Sequence, residues 1–386
     1  MWHQARLIAT VASSVPAYRY DRRQTYLWNF ENAPPAAEAS AEEGIVSNGS
    51  HVRVPPPTCD RAATTPVGEK GGPWKYLDWA VSLPCAVAAG PLLNGRWILY
   101  AARCGFDVLT HKTVRSRWRA SHPLPNLQPV ELRRLDRLGQ TVQAVEHDRP
   151  TWAVSFGMPS QPPELWRRDI RWARERLAPS QKLVVSVVGT VRSTDGRNAL
   201  ADDFARCARW AFEAGADAIE ANFSCPNVVT PDAHLQHDPA AARNVARTIR
   251  GAIGRTPLLV KLGFLPDDEL CRRLVDALGE FTDALVMTNS IAARVTGRAG
   301  ELLFDGRLRG ICGAAIRDAS LRQVERFAEI VARRNAGLQI IGVGGVFSAN
   351  DIRRYLSAGA TAVQTATAFM QDPTCVTRWR AELRTR

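Results

Sequence analysis

A chain of 386 residues with 45% hydrophobic and 23% charged side chains has ample material for a globular core, and closed barrels of about 250 residues or more form as one unit, so length alone does not require two domains. The nearest approach to a membrane span, Trp79–Leu93, is broken by Pro84, Gly90 and Pro91 and falls short of the ~20 residues required. The net charge of +12 comes mostly from arginines dispersed beside acidic neighbours, which reads as a solvated surface and not as a nucleic-acid footprint.

Residues 1–75 read as a partly disordered N-terminal extension. Ala33–Glu43 is rich in Ala, Pro and Glu, and Asn48–Gly72 in Pro, Thr and Gly, too little apolar surface to offset ordering entropy. Within it, the aromatic side chains of Tyr18–Phe30 are expected to dock on the rest of the chain. Arg6 and Leu7–Val15 imitate an export signal, but the apolar part is short, so the cytoplasm is expected.

Residues 76–386 alternate short β-branched runs with helix-period segments. The predicted strands are Pro84–Ala89, Asp107–Lys112, Leu183–Val188, Ala216–Asn222, Pro257–Leu262, Ala284–Asn289, Leu338–Val343 and Thr361–Thr365. Predicted helices include Leu200–Ala214, Pro239–Ile253, Asp267–Leu278, Leu321–Asn335 and Ser348–Ala358, with Gly105, Gly215 and Gly359 as left-handed caps. Such a run suits an α/β fold, a closed (β/α)8 (TIM) barrel, better than an open doubly wound sheet. The helix between the second and third strands is missing or modified, and residues 113–180 form a long insertion containing Ser155–Ser160.

Catalytic groups of such barrels sit at C-terminal strand ends. Those ends are Ala88-Ala89-Gly90, His111-Lys112-Thr113, Asn222–Asn227, Lys261, Thr288-Asn289-Ser290, Gly342–Gly345 and Thr365–Ala368. Gly344-Gly345 before Ser348, a helix N-cap candidate, suits a phosphate, with Thr365–Ala368 as the second half of the cradle. Lys112 and Lys261 require an anionic partner, either a strand carboxylate or a ring such as reduced flavin. Asparagine amides suit the edge of a planar ring, and Cys225 among them could serve as a base if its pKa is lowered. The eight cysteines form no metal-binding spacing, and the other seven read as packing residues.

The segment Asn222-Phe-Ser-Cys-Pro-Asn227 resembles the signature of dihydroorotate dehydrogenases, shared in part with dihydropyrimidine dehydrogenases. Supporting motifs run through residues 80–372 in the family's order: Ala88-Ala-Gly90 with Asn94-Gly95, Thr110–Thr113, Val260–Leu262, Thr288–Ser290, Gly342–Gly345 and Gln364–Ala368. The resemblance implies an FMN-dependent oxidoreductase acting on a CH–CH bond of a dihydropyrimidine such as dihydroorotate. In it Cys225 would remove a ring C5 proton while hydride leaves C6 for flavin N5, as in the soluble, cysteine-base branch. Lys112, Asn222, Asn227, Asn289 and Ser290 would hold substrate. Ala89, Gly90, Lys112, Thr113, Asn222, Lys261, Gly313, Gly344, Gly345, Ala366 and Thr367 would line the FMN site. The soluble relatives suggest a homodimer, the cysteine spacing implies no metal site, and the sequence leaves the oxidant open among fumarate, a flavoprotein partner subunit and quinone.

The chain departs from the family's pattern at three places. Val154 stands where the substrate loop usually begins with asparagine, which points to an altered substrate. Arg309-Gly-Ile-Cys-Gly313 replaces a Gly-Gly-x-x-Gly run, and Ala366 replaces a glycine, tolerable if its φ is negative. The alternatives are an ene-reductase like dihydropyrimidine dehydrogenase, a uridine reductase like tRNA dihydrouridine synthases, and a barrel without catalysis.

Overall fold

The computed structural model describes residues 18–36, 74–191, 198–224 and 235–384. Helix α1 (Tyr26–Glu31) opens at Thr25, whose side chain accepts from Trp28 N. A two-stranded hairpin, β1 (Trp74–Tyr76) and β2 (Trp79–Val81), leads into the alternating part. In chain order there follow β3 (Cys85–Leu92), α2 (Gly95–Cys104), β4 (Val108–Val114), β5 (Leu127–Glu131), β6 (Thr141–Ala144), β7 (Thr151–Val154) and α3 (Pro163–Arg176). Next come β8 (Lys182–Val187), α4 (Ala199–Glu213), β9 (Ala218–Asn222), α5 (Pro239–Ile253), β10 (Leu258–Lys261), α6 (Asp268–Leu278), β11 (Ala284–Met287), β12 (Ile291–Thr296) and β13 (Arg309–Gly313). The chain continues through α7 (Arg317–Arg334), β14 (Gln339–Val343), α8 (Ala349–Ser357), β15 (Ala362–Thr365), α9 (Thr367–Gln371) and α10 (Cys375–Arg384).

Strands β3, β4, β8, β9, β10, β11, β14 and β15 close into one parallel barrel, the (β/α)8 architecture expected from the alternation. All eight fall within the predicted runs or extend them by a few residues. Strand period two sets the two faces. Along β3, Ala86 and Ala88 belong to the interior cluster, whereas Cys85 and Val87 pack against the helices. The lower interior is lined by small residues, Ala86, Ala218, Ala284 and Ala362, and the hairpin fills that space with Tyr76, Leu77 and Val81. The helix joints follow their caps: Asp238 accepts from Ala240 N and Ala241 N at the head of α5, and Gly105 and Gly359 take φ of +108° and +94°.

The helix missing from the sequence reading after the second barrel strand is present as α3, displaced to the end of the insertion. Ahead of it, β5, β6 and β7 join β12 and β13, which follow the sixth barrel strand, in a second closed barrel of five strands. Its own core holds Val130, Val142, Ala153, Ile291, Ala293, Val295 and Ile311. The key joint is antiparallel β13–β7, with Gly310 opposite Val154, while β5 places Leu127 opposite the same valine. This roof stands over the C-terminal mouth of the main barrel.

Tyr18–Ala36 docks through its aromatics as expected. Tyr20 and Tyr26 are buried and meet the Phe156 ring edge-on at centroid distances of 6.1 and 6.2 Å. Trp97 Nε1 donates to Asn29 O at 3.0 Å, and Asn94 Nδ2 to Phe30 O at 2.8 Å, tying the segment to α2. Surface arginines have acidic neighbours, for example Arg354 with Asp318 and Arg334 with Asp276. Among the described residues no helix is long and apolar enough to cross a membrane.

Candidate active site

Strand parity decides which side chains reach the mouth. Val108 on β4, Ala218 on β9, Leu259 on β10 and Ala362 on β15 face the interior. Steps of two therefore turn Lys112, Asn222, Lys261, Gln364 and Ala366 inward as well. One cleft beneath the roof is lined by Ala88, Ala89, Gly90, Lys112, Thr113, Asn222, Lys261, Asn289, Ser290, Ala366 and Thr367. It runs into a hollow bounded by Gly313, Gly344, Gly345, Thr365, Ala366 and Thr367, with Asn289, Cys312 and Val343 shared between the two. Every sequence-predicted site residue within the described part lies in this cleft or hollow. Cys225 and Asn227 lie outside the described residues.

The hollow is shaped for a group without room for side chains. Gly344 and Gly345 take φ of +125° and +71°, and a Cβ on Gly345 would lie 2.6 Å from Arg317 Cβ and 3.0 Å from Gly313 O. Ser348 caps α8, its hydroxyl accepting from Asp351 N at 3.1 Å. The alanine at 366 has a negative φ of −125°, so it does not occupy the left-handed region that would demand glycine. Gly313, in the altered Arg309–Gly313 run, has φ of +96°, and a side chain there would collide with backbone at Pro150 O.

Lys112 and Lys261 are both buried and both open on the cleft. Lys261 Nζ lies 3.7 Å from Glu220 Oε1, so the strand carboxylate that sequence left as the alternative partner is present. At that distance the pair is ionic and not hydrogen-bonded, which leaves the ammonium donors available to a ligand. Asn222 Oδ1 accepts from Ser224 N at 3.2 Å, and its Nδ2 lies 3.7 Å from Met158 Sδ. Asn289 Nδ2 donates to Ser224 O at 2.8 Å and to Ser224 Oγ at 3.3 Å, so this side chain braces the end of β9 and keeps its carbonyl oxygen for other partners. Thr113 Oγ1 pairs with Ser186 Oγ at 3.0 Å.

The roof side of the cleft is apolar: Leu127, Val154, Phe156 and Met158. The Arg115 guanidinium fixes this loop, Nε donating to Met158 O at 3.1 Å. His122 supports it from behind, its ring packed where a Cβ on Gly157 would fall. Burial and then Arg309, Arg119 and Arg307 hold the His122 pKa below its ordinary value, which keeps the ring neutral. Ser160 turns away, its hydroxyl accepting from Arg115 N and donating to Gln161 O.

Sequence reasoning missed three features of the site. Cys312, placed among the packing cysteines, lines the cleft beside Thr367 Oγ1 at 3.5 Å, and burial pushes its thiol up to about 11. The roof wall came from strands that follow one another with no α-helix between them to mark their ends. Glu220 is signalled only by a charge inside an apolar strand run. Among the described residues no group of His, Cys, Asp or Glu is arranged to hold a metal. A roomier cavity of about 600 Å3 lies between α1, α2 and α3, but it shares only Lys112 and Thr113 with the cleft and touches none of the other converging residues.

A glycine cradle under a capped helix suits a phosphate, and two buried ammonium groups beside ring-reading amides suit a flat ring with an anionic edge, so the donor set fits FMN. Comparison with known proteins identifies the family. The family model described as Dihydroorotate dehydrogenase matches residues 77–386. The chain is 34% identical over 327 residues to "Dihydroorotate dehydrogenase" of Dictyostelium discoideum, covering 80% of this chain and 88% of that protein. It is 33% identical over 157 residues to "Dihydroorotate dehydrogenase B (NAD(+)), catalytic subunit" of Staphylococcus carnosus, covering 40% of this chain and 49% of that one. A similar subunit of a Geobacter species is 33% identical over 177 residues, or 44% of this chain and 54% of the relative. A barrel matched across its length, with the cradle and both lysines at the strand ends, belongs to the dihydroorotate dehydrogenase family of oxidoreductases.

Proposed function

We propose that the protein is a cytoplasmic FMN-dependent dehydrogenase that oxidises the CH–CH bond of dihydroorotate or a close dihydropyrimidine relative. The observation that carries this is the continuity of the ring cleft, with Lys112, Asn222 and Lys261, with the Gly344–Gly345 hollow. FMN, when bound, supplies the acceptor for the hydride that leaves ring C6. Gly313, Gly344, Gly345, Ala366 and Thr367 would hold its phosphate, and Ala89, Gly90, Lys112, Thr113, Asn222 and Lys261 its ring.

The chain's own residues do the rest. Cys225 Sγ takes the C5 proton as general base. Asn222, Asn227, Asn289 and Ser290 orient the pyrimidine, and Lys112 offers a positive charge to its anionic oxygens. The apolar wall of Leu127, Val154, Phe156 and Met158 excludes water from the reacting face. Its partners on this reading are the small-molecule substrate, an electron acceptor at the flavin edge and a second copy of the chain.

The test is anaerobic flavin bleaching. Purified protein is expected to be yellow, and dihydroorotate to bleach it within seconds. A yellow protein unmoved by dihydroorotate overturns that substrate and keeps the flavin, whereas a colourless protein that takes up no FMN overturns the reading. Cys225→Ala is expected to keep the colour but bleach ~10²–10⁴-fold more slowly.

A further inference from the structure

Glu220 is fully buried in the barrel interior, one inward step below Asn222 on β9. Its Oε2 accepts from Gln364 Nε2 at 3.2 Å, and the same amide donates to Tyr76 Oη at 2.9 Å. Among the described residues Glu220 Oε1 has no hydrogen-bond partner, and it faces Lys261 Nζ at 3.7 Å. The cluster that fills the lower interior around it is apolar, built of Ala, Val, Leu and Ile beside Tyr76. A buried ion pair adds little stability over an apolar core of equal volume, so packing does not explain this column. Burial, with the Glu220 charge adding to it, pushes the Tyr76 phenol well up, which leaves it neutral.

We infer that Glu220 is a positioning residue: it anchors the Lys261 ammonium at the cleft floor from below and sets how strongly the site favours a ring carrying negative charge. The 3.7 Å separation is what makes this work. Glu220 is near enough to orient and partly offset the ammonium, yet too far to consume its N–H donors. Gln364 and Tyr76 hold the carboxylate in place from the hairpin end. The inference rests on the reading that FMN occupies the cleft.

The experiment compares the flavin midpoint potential of the holoenzyme with those of Glu220→Gln and Glu220→Asp. Removing the negative charge is expected to favour reduced over oxidised flavin by about tenfold, a rise of ~30 mV for a two-electron couple. Glu220→Asp keeps the charge but withdraws it by one methylene, so a shift of about two- to threefold in the same direction is expected. Unchanged potentials overturn the inference, and so do equal shifts in both variants, which would mark a packing effect. Should Glu220→Gln fail to fold, Glu220→Asp decides alone: the small rise supports the inference and its absence refutes it. A wild-type protein that binds no FMN would overturn the functional reading together with the inference. A flavin-loaded wild type with indifferent variants would overturn the inference alone.

Discussion

Gly345→Ala tests the phosphate cradle with a change of one methyl group. The native φ of +71° costs an L-residue about 1–2 kcal/mol. The new Cβ would also lie 2.6 Å from Arg317 Cβ, at the first residue of α7, where there is no flexible end to swing aside. The turn must therefore move, and with it the backbone N–H groups that face the hollow. A combined penalty of about 2 kcal/mol corresponds to roughly 30-fold weaker FMN binding. The assay is titration of apo-protein with FMN, followed by quenching of flavin fluorescence, beside a thermal melt. Gly337→Ala is the control: its φ is +67°, but nothing lies within 4 Å of the added Cβ and it sits outside the cleft. That variant should lose about 1 kcal/mol of stability and keep its FMN affinity. Wild-type affinity in Gly345→Ala, or an equal loss of affinity in the control, would refute the cradle.

Two further perturbations address the roof. Val154→Asn places an amide in the apolar wall and is expected to raise kcat/KM for dihydroorotate about tenfold, the worth of one hydrogen bond to a buried polar group; steady-state kinetics showing no gain would mean that the wall does not face the substrate. His122 has a depressed folded pKa, so as pH falls below about 6.5 the unfolded chain binds a proton that the folded chain refuses, and stability drops. Melting temperatures should fall from pH 7.5 to about 5.5 in the wild type and less steeply in His122→Asn; parallel slopes would remove His122 from the account.

The barrel was legible because each strand is a β-branched run bounded by helix-period segments and glycine caps, and those signals are local. Pro239–Ile253 is the clearest case: Asp238 and the following proline mark its start without reference to the rest of the fold. The roof was not legible for the opposite reason. Its strands follow one another without the intervening α-helices that bound the barrel strands, and β7 finds β13 across more than 150 positions of sequence, so no window contains both partners. The site residues at strand ends could be named because barrel geometry makes the end of every inward strand converge. Glu220 lies one inward step below a strand end, where barrel geometry does not by itself mark a site, although a carboxylate at inward parity inside an apolar run is a readable signal. Cys312 escaped because its exposure depends on where β13 lies, which is a property of the roof.

The pairing of Val154 with Leu127 on one side and Gly310 on the other also bears on how such a site can change over generations. The three positions come from two insertions in the barrel, yet they form one row across the roof. A lineage that alters what the cleft accepts through position 154 inherits a constraint at 127 and 310. A change at 154 is therefore felt on both neighbouring strands, and selectivity is tuned by the row and not by one position alone.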